Sequence, residues 1–214
     1  MKITDNIFRF DGIGNSCNIY LIDKQLLIDT GLGVSFEKII ENMRTAGVIP
    51  EKIKIILNTH CHYDHIGGNS LFKELTNAEI YAHERDAENI KTGKNTFYEF
   101  FGNDFKSSSV DKKLKEGEII KTENYSFKVI HTPGHTKGSI CLYESEKKIL
   151  ISGDTLFSDS VGRTDLQGGN GIELANSLKK LQKLNIELLL PGHGVFKKGG
   201  IKDLIEELLK NMER

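Results

Sequence analysis

The run THCHYDHIGG, residues 59 to 68, packs His60, His62, Asp64 and His65 into six consecutive positions directly after the apolar stretch IKIILN. Imidazole and carboxylate are together the ligands of zinc, iron and manganese, so the density of these side chains points to a metal site. In a helix His60 and His62 would point apart, because only residues three or four apart meet. In extended chain they share a face. The motif therefore belongs at the end of a strand over 53 to 58, with the backbone turning afterwards so that Asp64 and His65 swing beside the first pair. Gly67 and Gly68 then allow a tight turn into the next helix.

Three further ligand-type residues stand in similar surroundings. His135 lies in HTPGHTKG after the apolar run YSFKVI, Asp154 in SGDTLF after KILI, and His193 in PGHG after IELLL. Each follows a predicted strand and has a glycine close by. In α/β sheets, functional residues gather where strands end. Five of the seven histidines fall into these positions, too many for a histidine-rich polar loop to explain.

The elements that must hold these residues follow from periodicity and turn chemistry. Short apolar segments over 3–10, 17–22 and 25–29, broken by DGIGN and DK, read as strands. A helix is expected from Ser35 as N-cap, with Phe36, Ile39, Ile40 and Met43 on one face and Gly47 as its stop. IKIIL at 53–57 reads as a strand covered on both faces, followed by a short helix over Asn69–Leu75 and a strand at 78–82. The second half repeats the rhythm. Strands are expected at 118–121, 125–130, 139–144 and 148–152, a helix over 172–184, a buried strand at 186–190 and an amphipathic helix over 201–212. Two strand-rich blocks, each ending in a helix and a buried strand, suggest an α/β protein with two sheets between helices. No linker interrupts them, so residues 1–214 are expected to form one domain.

Composition narrows the function. With 29 basic and 30 acidic residues and a net charge of -1, no basic stripe invites nucleic acid or an anionic membrane. Apolar runs are too short to span a bilayer. The N-terminus lacks an apolar export core, and three widely spaced cysteines do not make a disulfide framework, so a cytoplasmic location is expected. Residues 92–110 depart from the pattern. They carry Phe97, Tyr98, Phe100, Phe101 and Phe105 between turn-prone ends, and such a segment serves either as a binding loop or as a patch packed onto the body.

Taken together, the H-x-H-x-D-H run and the three later ligand-type residues resemble the metallo-β-lactamase-fold hydrolase superfamily, over nearly the whole chain and in the same order. The resemblance implies an αββα sandwich of two mixed sheets flanked by helices. It implies two divalent transition metals, zinc with iron or manganese as alternatives. His60, His62 and His135 would hold one ion, Asp64, His65 and His193 the other, and Asp154 would bridge them. A metal-bridging hydroxide would then be the nucleophile, with Asp64 as the catalytic residue that orients it. Within the superfamily, THCHYDH and GDTLFSDSVGRTDLQGG look most like glyoxalase II-like thioesterases and the related persulfide dioxygenases. The former implies a small-molecule thioester or ester substrate. The latter, as the alternative, implies one iron on His60, His135 and Asp154. Full-length glyoxalase II enzymes continue into a helical domain that grips glutathione, whereas this sequence stops about twenty residues after His193. No nucleic acid or membrane partner is expected, and the chain is expected as a monomer or homodimer.

Smaller expectations concern neighbouring residues. Cys61 should turn away from the ligands as a packed thiol. Asp29 in LIDTG is either a carboxylate orienting a ligand histidine or a turn aspartate. Arg163 and Asp165 in GRTDL pair near the site or fix a loop. His83 and His131 should have structural or surface roles.

Overall fold

The structure is a computed structural model that describes residues 1–102 and 104–212. Contacts divide the chain into two compact units, residues 1–114 with 122–124, and residues 115–121 with 125–212.

The first unit is a six-stranded sheet. It runs β1 (Ile7–Asp11), β2 (Asn18–Ile22), β3 (Leu26–Ile28), β4 (Ile55–Leu57), β5 (Glu79–His83) and β6 (Lys112–Leu114), in spatial order β1-β2-β3-β4-β5-β6. β1, β2 and β3 pair antiparallel, and β3 to β6 pair parallel. Four helices belong to it: α1 (Phe36–Thr45), α2 (Tyr63–Ile66), α3 (Asn69–Thr76) and α4 (Ala87–Thr92). Ile39, Ile40 and Met43 of α1 and Phe72 of α3 pack on Ile19, Leu21, Leu27, Ile56 and Ile80 of the sheet. Each such side chain, fully buried, contributes about 1.5–3 kcal/mol. Because β3, β4 and β5 run parallel, the residues after their carboxyl ends leave from one edge of the sheet.

The second unit is also mixed. β7 (Ile119–Lys121), β8 (Ser126–His131), β9 (Ile140–Glu144), β10 (Ile149–Gly153), β11 (Leu188–Pro191) and β12 (Lys197–Lys198) stand in the order β12-β11-β10-β9-β8-β7. Only β10 and β11 pair parallel. Since β9 is antiparallel to both β8 and β10, strands β8, β10 and β11 all point the same way. Leu178 and Leu181 of α5 (Gly171–Leu181) and Ile205 and Leu209 of α6 (Ile201–Met212) close over Cys141, Leu150 and Leu189. Asn170 caps α5 by accepting from Ile172 N (2.9 Å) and Glu173 N (3.1 Å).

Sequence and structure differ at several boundaries. The buried strand expected over 53–57 is only Ile55–Leu57, because Pro50–Lys52 form a 3₁₀ turn and Ile53 is its extended exit. Ser35 stands at the N-cap of α1, yet its side chain makes no capping bond. The short elements α2, α4, β6 and β12 are unannounced by periodicity. No helix among the described residues is long and apolar enough to cross a membrane.

Candidate metal centre

In the first unit the ligand-type side chains follow β4. His62 is extended (φ -67°, ψ 145°) and caps the single turn of α2, which carries Asp64 and His65. The expected turn after His62 is thus a short helix. It brings the rings of His60 and His65 to a centroid distance of 4.1 Å, and those of His60 and His62 to 4.8 Å. All three histidines are buried. Gly67 and Gly68 have ordinary helical φ, so conformational freedom is not their purpose. Space is: a β-carbon at Gly67 would meet Leu32 O at 2.5 Å, and one at Gly68 would meet Thr30 O at 2.4 Å.

Asp29, directly after β3, organises this loop. It is buried, with φ at 58°, a left-handed backbone that aspartate tolerates better than most residues but still at a cost. Oδ1 accepts from Thr59 N at 2.8 Å. Oδ2 accepts from Thr59 Oγ1 at 2.8 Å and from His65 Nδ1 at 2.8 Å. The hydroxyl hydrogen of Thr59 is therefore committed to Asp29. His60 Nδ1, 3.1 Å from that hydroxyl, must be the donor of their bond. One carboxylate thus fixes the tautomer of two histidines and leaves each Nε2 with its lone pair. The orienting reading of Asp29 holds, and the turn reading describes its backbone.

Other clamps carried no signal in the sequence. Buried Asp86 accepts from Cys61 N at 3.0 Å, and Thr30 N donates to His65 O at 2.8 Å. Asn58 and Asn69 exchange two amide bonds of 3.0 and 2.8 Å beneath the loop. Cys61 is buried as expected, and burial, then Asp86, pushes its thiol well above the usual range. Cys17 lies within ligand distance of Asp29 and His65. Burial raises that thiol to about 11, and the oxygens of Asp29 are already engaged, so this trio is packing and not a thiolate site.

In the second unit three strands deliver one residue each: His135 after β8, Asp154 after β10 and His193 after β11. Asp154 Oδ2 lies 3.6 Å from His135 Nε2 and 3.6 Å from His193 Nε2. His135 Nδ1 donates to Arg163 O at 2.7 Å, which again leaves Nε2 as a lone pair. Arg163 matters here through its backbone. Its side chain makes a two-pronged, exposed ion pair with Asp165 at 2.8 and 2.7 Å, which holds that carboxyl at about 2. Phe157 stands edge-on to His193 with centroids 6.1 Å apart, at a shallow cleft of about 350 Å³. His83 and His131 serve local structure: His83 Nδ1 accepts from Arg85 N, and His131 Nε2 meets Lys137 O at 2.9 Å.

The donor set fits divalent transition metals. In the first unit His65 Nε2 lies 3.7 Å from Asp64 Oδ2, and this spacing and the two 3.6 Å spacings in the second are too long for hydrogen bonds. Two ligand atoms about 2.1 Å from one tetrahedral ion stand about 3.4 Å apart. Imidazole and carboxylate with no thiolate suit zinc, iron or manganese.

The family profile described as the metallo-beta-lactamase superfamily matches residues 12–193. The chain is 37% identical over 196 residues to a probable metallo-hydrolase, MJ0888, of Methanocaldococcus jannaschii, covering 88% of this chain and 92% of that one. It is 30% identical over 185 residues to hydroxyacylglutathione hydrolase GloC of Haemophilus influenzae, covering 85% and 86%. Among solved structures it is similar to TTHA1623 in a di-iron-bound form, with 31% identity, a TM-score of 0.78, and 92% and 96% of the two chains covered.

Proposed function

The chain belongs to the metallo-β-lactamase superfamily, and from that premise we propose that it is a metal-dependent hydrolase that cleaves a small-molecule thioester or related ester. The observation that carries the reading is the set of 3.6–3.7 Å spacings from His65 to Asp64 and from His135 and His193 to Asp154, with the other ring nitrogen of His65 and of His135 tied down. In this proposal His60, His62 and His135 would hold one ion, Asp64, His65 and His193 the other, and Asp154 would be shared. Residues 1–214 then act as one domain, in keeping with a family match that runs through both units.

When bound, such a pair of ions supplies an activated water at neutral pH and polarises the scissile carbonyl. The chain does the rest. Asp64 orients the attacking water and takes its proton. Asp29, directly on His65 and through Thr59 on His60, holds each ring in the tautomer whose Nε2 carries the lone pair. Among these motifs there is no separate general acid, and a thiol leaving group, with a pKa near about 8.5, departs without one more readily than an amine does. GloC, matched over 86% of its length, bears the name of a thioester hydrolase, which supports this substrate class.

The iron dioxygenase alternative would use only His60, His135 and Asp154. The tether on His65 and the approach of His193 to Asp154 favour the dinuclear hydrolase, because both residues are then built as ligands. Three buried free thiols favour a reducing compartment such as the cytoplasm. The test is an assay of metal-loaded protein on acyl thioesters with oxygen uptake recorded in parallel. Thiol release without oxygen consumption is expected. Oxygen uptake with a persulfide, and no thioester cleavage, would overturn the reading.

A further inference from the structure

The aromatic residues of the 92–110 segment divide into two sets, and the 3₁₀ turn at Tyr98–Phe101 is the reason. Side chains three apart eclipse in such a turn. Tyr98 and Phe101 share one side and meet Tyr63 at centroid distances of 6.2 and 6.1 Å, with Phe105 at 6.4 Å. These rings pack on a cluster with Cys61, Ile66 and Ile90. Phe97 and Phe100 share the other side. They stack 5.8 Å apart with planes at 7°, and Phe97 stands edge-on to His62 at 5.3 Å. Phe100 is 76% exposed.

Two features show that this second pair is positioned and not left over. Phe97 is a bulky residue held at φ 59°, a conformation that persists only where surrounding structure enforces it. The enforcement is visible in Thr96, which is buried, accepts from Tyr63 N at 2.8 Å and donates its hydroxyl to Gly93 O at 2.8 Å. Tyr63 opens the helical turn that carries Asp64 and His65. The platform is thus pinned to the same turn as the ligand-type residues. Asn103 of this segment lies outside the described residues.

We propose that Phe97 and Phe100 form an apolar platform beside His62 that receives the hydrocarbon part of the substrate, and so sets its selectivity. This rests on the thioesterase reading for its choice of substrate. An exposed ring face next to a reacting centre gains most from a chain that covers it, so longer apolar substrates should be preferred over short polar ones.

Two thioester series test it on the metal-loaded full chain, one with a fixed thiol and acyl groups from acetyl to octanoyl, the other with a fixed acetyl and thiols of rising alkyl length. In at least one series kcat/KM should rise with length, and Phe100→Ala should cut the ratio of longest to shortest substrate about tenfold. Phe97→Gly, which removes the ring and suits the left-handed backbone, should do the same without a lower melting temperature. Phe105→Ala should lower the melting temperature and leave the ratio alone. Calorimetric binding of acetate and octanoate runs alongside, so that a chain that cleaves no thioester still reports on the platform. Octanoate should bind more tightly, and Phe100→Ala should remove the difference. Indifference to length in both series and in binding, or length preferences untouched by Phe100→Ala, would overturn the platform. Failure to cleave any thioester overturns the proposed function alone.

Discussion

The two units provide ligand-type residues by opposite means. In the first, six consecutive residues supply four of them, and the loop is held in shape by remote groups: Asp29, Thr30, Asp86 and Thr96. In the second, three loops supply one each, and the sheet itself does the positioning, because β8, β10 and β11 end on one edge. A compact motif concentrates chemistry in the sequence but needs long-range clamps. A dispersed set needs only register, and its local trimming comes from backbone atoms such as Arg163 O. Substitutions should therefore hurt the two units differently.

The largest effect should come from the compact motif. In protein reloaded with metal, Asp64→Asn should lower kcat by about 100-fold or more while KM stays within a few-fold. A near-normal kcat in a metal-replete variant would remove Asp64 from the proton transfer. Next is its clamp. Asp29→Asn keeps a side chain that tolerates the left-handed backbone but weakens the acceptor for His65, so metal affinity should fall about 10–100-fold. Equal affinity in a competition with a chromogenic chelator would show that the loop holds itself.

In the dispersed set, a single loss should be local. Purified protein should bind close to two metals per chain, and His193→Ala should lose mainly one of them. If elemental analysis finds the unmutated chain saturated by one ion, the dinuclear proposal fails and the single-iron alternative gains.

The smallest effect concerns pH. Burial raises the Cys141 thiol to about 11, above the value of about 8.5 for an unfolded cysteine. A raised folded value means that the contribution is complete below about 8.5 and is lost as pH climbs towards 11. Urea midpoints between pH 8 and 11 should thus fall more for the unmutated chain than for Cys141→Ala. Parallel curves would show that this thiol does not feel its surroundings.

How much of this was legible in the sequence follows the same division. Ligand-type residues announce themselves by chemical type, and strands such as Asn18–Ile22 and Ile149–Gly153 by apolar runs and turn residues. Ile201–Met212 was legible to its ends because its amphipathic period is uninterrupted. The single turn α2 and the strand β6 were not, since neither is long enough to show a period. Ile53 looked like strand because it is apolar and buried, although Pro50 has already set a turn before it. Apart from Asp29, which LIDTG already suggested, the orienting partners were the least legible. A backbone carbonyl has no letter of its own, so nothing in GRTDL says that Arg163 acts through its oxygen. The aromatic segment could be read either way because its short turn has two sides: Tyr98 and Phe101 pack onto the body, while Phe97 and Phe100 form the side proposed above as a platform.

Gly162 has a consequence for telling working genes from decayed ones. A β-carbon there would fall 1.8 Å from Asp154 O and 3.1 Å from His135 Nδ1. Any larger residue must therefore move the loop that shapes two ligand-type side chains at once. A related gene that keeps every histidine and aspartate of the signature is then expected to encode an impaired protein if this one codon has drifted. When homologous genomes are sorted, the letter at this position should be read beside the histidines and aspartates of the signature.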